Sequence, residues 1–333
     1  MSDRLSVAVI CGGRSSEHEI SLESGASVAE GLRAAGHEVT EIRIERDGRW
    51  ARDGVEVELR PGRGLLDVDV AFPVLHGPFG EDGTVQGLLE CLGIPYAGPN
   101  VLAAAVAMDK LIFKRLCAFW DLPQVEFCEL GEEGWRERAA AMPRPLWVKP
   151  SRLGSSVGIS RVEDPESELD AAVERALAHD PRVIVEAHAG GREVECSVIG
   201  NAGIGDDDSI ETSPPGQIRY PGSEWYDYDA KYSEGGMELI VPAPLDEATT
   251  SRVRELAARA FATIGATGLA RCDFFVTAAG EVLVNELNTI PGFTSTSVFG
   301  KLFEAGGVAY ADLCDRLVRL ALDRHERERR YRF

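Results

Sequence analysis

Apolar and polar positions divide the chain into short segments of two periodicities. Residues 5–11 (LSVAVIC) form an apolar run ending at Gly12 and Gly13, the pattern of a buried parallel strand entering a tight turn. From Ser21, apolar or small residues fall at Leu22, Ala26, Ala29 and Leu32. That spacing predicts a helix with Ser21 as N-cap and Gly36 as its stop. Residues 38–44 (EVTEIRI) alternate like a strand, 68–75 (VDVAFPVL) predict another, and 84–93 (TVQGLLECLG) predict a helix. Alternation of this kind predicts an α/β unit with a mainly parallel sheet, its active loops at the C-terminal strand ends.

A second block begins near Pro99. It comprises a helix over 108–121, a strand over 145–151, a glycine- and serine-rich loop over 152–158, a helix over 166–180 and a strand over 182–188. A third block opens with strand 192–201 and closes with helix 246–265, strands 270–277 and 281–287, and a helix near 308–324. Between them lies a polar and aromatic loop, about 206–236, carrying Trp225, Tyr226, Tyr228 and Tyr232. Long loops of that aromatic content are expected to be lids or binding loops.

Composition narrows the function classes. A chain of 333 residues suggests two or three domains. Its net charge of −20 argues against broad nucleic-acid or anionic-membrane binding, so any phosphate must be held by local basic groups. No apolar run reaches the roughly 20 residues of a membrane span, and no export signal is evident at the N-terminus. Seven scattered cysteines without a CxxC pair predict free thiols in a reducing cytoplasm. The charged stretch 323–333 is expected to be a solvated helix end.

The chemistry-bearing residues concentrate in five places. Residues 271–288 predict a hairpin in which Glu286 and Asn288 share a face and Asp273 lies opposite. This all-oxygen set suits Mg²⁺ shared with substrate phosphates. Lys149 at a strand end, followed by Gly154, Ser155, Ser156 and Gly158, can offer an ammonium and backbone N–H groups to phosphate oxygens. No GxxxxGK[ST] is present, nor a GxGxxG in the first strand–helix turn, which disfavours a P-loop protein and a dehydrogenase. That first turn instead carries Glu17 near a helix start, where a carboxylate repels phosphate but can receive an ammonium group. His76 opens a glycine-dense turn (HGPFGEDGTVQG) that approaches something closely. Gly292 and Ser297, in the loop after the acidic strand, together with Arg271, can hold a carboxylate or an oxyanion.

The segments GGRSSEHEISLESG, HGPFGEDGTVQG, AMDK, VKPSRLGSSVG, YDYDAKY, ARCDFF and NELNTIPGFTSTS occur in that order. Together they resemble the D-alanine–D-alanine ligases of the ATP-grasp superfamily over nearly the whole chain. The resemblance implies a three-domain ATP-grasp fold: an N-terminal α/β domain over 1–98, a central subdomain over 99–187, and a C-terminal subdomain over 188–333 with the lid at 206–236. It implies that Lys110 and Lys149 meet the ATP phosphates, that Glu186 and His188 lie at the adenine hinge, and that Glu193 binds the ribose. Asp273, Glu286 and Asn288 match ligands of a pair of Mg²⁺ ions, for which Mn²⁺ can substitute. Glu17 matches the acid receiving the first D-alanine's ammonium, and His76 a substrate-pocket histidine. Arg271 and Gly292 match the oxyanion site. Ser297 and Lys231 match groups on the second substrate's carboxylate and the transferred phosphate, and Tyr232 and Ser155 tie the lid to Glu17. The implied reaction joins two D-alanines through an acyl phosphate in peptidoglycan precursor synthesis. The enzyme is expected to be a cytoplasmic homodimer using D-alanine and ATP, with no nucleic-acid or membrane partner. A Tyr232 hydroxyl favours D-alanine over D-lactate as acceptor. D-serine as acceptor, and a non-catalytic nucleotide-binding role, are the alternatives.

Overall fold

Strand β1 (Ser6–Gly12) is buried along almost its whole length because both of its faces are covered. In the computed structural model, which describes residues 4–154, 156–203, 210–220, 237–294 and 296–332, β1 lies between parallel neighbours β2 (Glu38–Ile44) and β5 (Val70–Pro73). The short antiparallel strands β3 (Trp50–Arg52) and β4 (Val55–Glu56) extend the β2 edge. Val7, Val9 and Cys11 point to one side, where helix α1 (His18–Ala34) packs. Ala8 and Ile10 point to the other, against α2 (Thr84–Leu92).

Helix α1 begins four residues earlier than its apolar spacing suggests, with Glu17 in the N-cap position. Ser21 is not the cap. Its hydroxyl accepts the Gly12 N–H at 2.9 Å and donates to the Val74 carbonyl at 2.5 Å, so it ties the ends of two strands together. Gly36 follows the helix with φ +93°, the left-handed conformation in which glycine ends helices.

The second sheet is antiparallel, in the order β6 (Phe127–Glu129), β9 (Val183–Glu186), β7 (Leu146–Pro150), β8 (Ser160–Val162). Helices α5 (Trp135–Ala141) and α6 (Pro165–Leu177) share its core. Before it, α3 (Val101–Met108) and α4 (Lys110–Phe119) meet at Asp109, whose carboxylate accepts the Ile112 N–H and the Ser151 hydroxyl. The helix expected over 108–121 is α4, beginning at this cap, and α3 precedes it as a further helix.

The third sheet is also antiparallel. Its order is β13 (Glu238–Ile240), β12 (Gly216–Arg219), β10 (Arg192–Asn201), β14 (Thr267–Val276), β15 (Val282–Asn288), with β11 (Glu211–Thr212) also on β10. Helix α7 (Glu247–Thr263) packs on one face together with α3 and α4. Helices α8 (Val298–Ala305) and α9 (Tyr310–Glu328) leave this sheet and complete the core over α1. Two corrections follow. The segment expected to be a continuous loop over 206–236 contains β11 and β12. Their polar residues Glu211, Thr212, Gln217 and Arg219 give no apolar run, and partner strands supply the order. Residues 206–209 and 221–236 of that loop, with Lys231 and Tyr232, lie outside the described residues, as does Ser155. The charged stretch from 323 is also not a uniformly solvated helix end. Arg324 is buried, donates to the carbonyls of Gly98 and Tyr96 and to the Thr267 hydroxyl, and lies 4.1 Å from the Tyr96 ring centroid.

This junction also constrains Gly268. Its φ is +71°, and a Cβ there would stand 2.5 Å from the Gly98 carbonyl oxygen. Gly268→Ala is therefore expected to cost about 2–4 kcal/mol through backbone strain and the clash. The check is a lower denaturation midpoint. An unchanged midpoint would mean that the junction gives way without cost.

Candidate active site

Three strands present a row of acids. In register, Glu195 of β10 faces Asp273 of β14, and Asp273 faces Glu286 of β15. Two residues along, Arg271 pairs with Asn288. Because strand side chains alternate, Arg271 and Asp273 share a face, as do Glu286 and Asn288. The ladder shifts register between Asp273 and Phe274, a bulge of the kind that re-aims side chains beside active sites. The Arg271 guanidinium grips both Asp273 oxygens, each at 2.7 Å, and approaches Glu195 at 3.1 Å. The expected arrangement of Asp273, Glu286 and Asn288 is present. Glu195 is an addition that sequence reasoning passed over, although its two-residue spacing from Glu193 on a strand was the available signal.

Opposite this row stands the second sheet's contribution. Lys110, the first residue of α4, approaches Glu286 at 3.5 Å and donates to the Leu153 carbonyl at 2.8 Å. Lys149 on β7 and Glu186 at the end of β9 form an ion pair at 2.5 Å. Lys114, one turn after Lys110 on α4, reaches the other Glu186 oxygen at 3.0 Å. Lys114 and Glu186 are 1% and 2% exposed, so this is a buried triad. Burial opposes charge on Glu186, yet the ammonium groups of Lys114 and Lys149 outweigh it and hold the carboxyl well below the usual range, at about 2. For Lys149, burial works against the charged form, but Glu186 outweighs it and raises the pKa.

One cleft is lined by Lys110, Lys149, Glu186, His188, Glu193, Glu195, Arg271, Asp273 and Glu286. His188 accepts the Trp147 indole N–H on Nδ1 at 3.3 Å. Burial, reinforced by Arg161, lowers its pKa, which suits a neutral ring beside an apolar wall. Glu193 accepts the Tyr220 hydroxyl at 3.0 Å. Burial raises the Glu193 pKa, the Tyr220 bond partly offsets this, and Asp273 adds to the rise. Among the described residues no group of three or more His, Cys, Asp or Glu side chains is disposed as a metal site. The candidate ligands are instead two acids and an amide.

A second cluster lies where strand β15 hands on to its following loop. His76 contacts the Ile290 carbonyl through Nδ1 at 3.1 Å and the Ser24 hydroxyl through Nε2, also at 3.1 Å. Ser24 in turn accepts the Phe293 N–H. Ser15 donates to the His76 carbonyl at 2.7 Å and accepts the Glu17 N–H at 3.2 Å. A Cβ on Gly77 would stand 2.7 Å from a Glu17 carboxylate oxygen, and one on Gly292 would stand 2.8 Å from the Ser297 hydroxyl. Both glycines thus leave room for a neighbouring functional oxygen. Asn288 accepts the Ile290 N–H, so the stretch from Asn288 to Phe293 connects this cluster to the acidic row.

Comparison with known proteins agrees with this geometry. Residues 6–64 and 55–99 match the family model described as D-ala D-ala ligase N-terminus, and residues 116–319 match that described as D-ala D-ala ligase C-terminus. A D-alanine–D-alanine ligase of Halothermothrix orenii is 41% identical, with 96% of this chain and 99% of that one covered. One of Deinococcus radiodurans is 42% identical over 95% and 98% of the two chains. Among solved structures, the Coxiella burnetii D-alanine–D-alanine ligase superposes with a TM-score of 0.85 at 33% identity, covering 99% of this chain and 97% of that one. The VanG D-Ala:D-Ser ligase of Enterococcus faecalis gives 0.84 at 33% identity, covering 96% and 99%. A lysine-lined cleft facing an acidic hairpin, two family models spanning most of the sequence, and full-length relatives above 40% identity have one reading: the chain belongs to the D-alanine–D-alanine ligase family.

Proposed function

We propose that the protein joins two D-alanine molecules at the expense of ATP, through an acyl phosphate, for peptidoglycan precursor synthesis. The observation that carries this is the facing of Lys110 at the start of α4 and Lys149 on the second sheet by Asp273 and Glu286 on the third, within one cleft. Such a cleft can neutralise a transferring phosphoryl group from both sides, and phosphoryl transfer needs little more than positioning and charge. The domain division 1–98, 99–187 and 188–333 belongs to the same proposal.

In this reading the adenine lies by Glu186 and His188, and the ribose hydroxyls are held by Glu193. Lys110 and Lys149 draw the phosphates into place. The oxygen donors of Asp273, Glu286 and Asn288 fit Mg²⁺, because they are hard ligands on one strand pair and two of them already attract the cations Arg271 and Lys110. Bound there, a pair of Mg²⁺ ions would supply charge neutralisation at the phosphate oxygens. Glu17 receives the first D-alanine's ammonium, and His76 shapes the pocket beside it. The carboxylate of that D-alanine attacks the γ-phosphorus of ATP, and ADP leaves. The amine of the second D-alanine then attacks the acyl carbon, Arg271 and the Gly292 N–H hold the oxyanion, and inorganic phosphate departs. Ser297 and Lys231 hold the second substrate's carboxylate and the transferred phosphate. In the same reading the 206–236 loop serves as a lid, tied to Glu17 through Tyr232 and Ser155, which would protect the acyl phosphate from water.

The test is incubation with ATP, Mg²⁺ and D-alanine, following phosphate and dipeptide. Absence of D-alanine-dependent phosphate release would overturn the proposal. The equal fit of a D-Ala:D-Ser ligase fold makes D-serine the second reading for the acceptor, so D-serine and D-lactate belong in parallel arms. Tyr232 favours D-alanine over D-lactate, and dominant D-serine incorporation would shift the assignment.

Glu193 gives a pH prediction. Its raised pKa means that the carboxylate, the form that accepts ribose hydroxyls, is lost at a higher pH than for an ordinary glutamate. ATP affinity should therefore fall on acidification, starting above the usual glutamate range. Tyr220→Phe removes a bond that favours the charged form, so the fall should move to still higher pH. The KM for ATP, measured from pH 5 to 8, checks this, and superimposable profiles would remove Glu193 from the ribose site.

A further inference from the structure

Lys114 is an unassigned cation beneath the nucleotide cleft. It projects from α4 into the interior, 1% exposed, with its Nζ 3.0 Å from one Glu186 oxygen and 5.8 Å from the Phe127 ring centroid. The other Glu186 oxygen holds Lys149 at 2.5 Å. Lys149 lines the cleft and also feels Glu286 and Glu193 from the third sheet, whereas Lys114 is not among the lining residues.

The charge balance of this triad decides what the cleft presents. Glu186 and Lys149 alone form a neutral pair, and a neutral pair attracts phosphate weakly. The acids across the cleft would make that deficit worse. With Lys114 added, one carboxylate is shared by two ammonium groups, and a single net positive charge remains in a low-dielectric setting where it acts strongly. A buried lysine is costly unless it is paired, and Lys114 is paired to a carboxylate that another lysine already uses. We infer that Lys114 is a positioning and charge-balancing residue which neutralises Glu186 from behind, so that the Lys149 ammonium is available to the phosphates of a bound nucleotide.

This inference rests on the reading of the cleft as an ATP site, and the experiment separates the two. Affinities for adenosine, ADP and ATP are measured by calorimetry for the wild type and for Lys114→Met, Lys114→Arg, Glu186→Gln and the double variant Lys114→Met/Glu186→Gln. The quantity read is the preference for ATP over adenosine. Lys114→Met should lower it by about tenfold, and Lys114→Arg should keep most of it. The double variant restores the single positive charge and should recover the preference, even if adenosine itself binds less tightly. Glu186→Gln alone should raise the preference, and this arm still decides the matter if Lys114→Met does not fold. Equal loss of ATP and adenosine in Lys114→Met, no recovery in the double variant, or an unchanged preference in Glu186→Gln would overturn the inference. A wild-type protein that binds ATP no better than adenosine would instead overturn the reading of the cleft.

Discussion

Glu286→Gln is expected to lower D-alanine-dependent turnover by about a thousandfold while leaving the fold intact. The side chain is 37% exposed and packs in no core, so the isosteric amide should fold as the wild type does. What it removes is one of two carboxylates aimed at the phosphate site. The ion pair with Lys110 goes with it, and so does a negative charge that helps hold Lys149 protonated. Phosphoryl transfer depends on charge neutralisation at defined points, so loss of an anionic metal ligand should fall on kcat more than on folding. The measurement is steady-state phosphate release at saturating ATP and Mg²⁺, paired with a thermal midpoint. Activity within a few-fold of wild type would remove Glu286 from the metal set.

Arg271→Lys should cost about a hundredfold in kcat, with a much smaller change in the KM for ATP. The planar guanidinium makes parallel bonds to both Asp273 oxygens and also reaches Glu195. A lysine keeps the charge but cannot reproduce that fork. If Arg271 acts on the oxyanion, the loss appears after nucleotide binding, in the attack of the amine on the acyl phosphate. Single-turnover experiments would then show the acyl phosphate forming and failing to progress, seen as ADP formation without matching phosphate release or dipeptide. A rise in the KM for ATP with unchanged kcat would instead place Arg271 in ground-state support of Asp273.

Much of this was legible in the sequence, for physical reasons that differ by element. Strands β1, β2 and β10 and helix α7 announce themselves by period, because each buries a regular set of positions. The hairpin acids were legible because Glu286 and Asn288 interrupt an apolar strand at a spacing that keeps them on one face. The short strands β3, β4, β11 and β12 were not, since their order comes from neighbours and not from their own residues. Ser21 was misplaced because cap preference does not record a competing partner, here the ends of β1 and the loop after β5. Arg324 was taken as solvated because its neighbours are charged, and single residues inside a charged run carry no mark of burial. Lys114 was passed over although it follows Lys110 by four positions and therefore lies on the same helix face.

The packing of α9 on α1 has a consequence for how the chain acquires its structure. Leu313, Leu317 and Val318 share a core with Val7, Val28 and Leu32, and these partners are separated in sequence by roughly 300 residues, a separation that slows folding. During synthesis the first sheet would emerge with α2 available for one face and α1 for the other, but with the side of α1 that meets α9 still bare. An early intermediate that exposes the α1 surface around Gly31, which Tyr310 and Cys314 cover in the native state, would be prone to self-association. The first unit is therefore expected to reach its native state among the last, after the sheets that follow it.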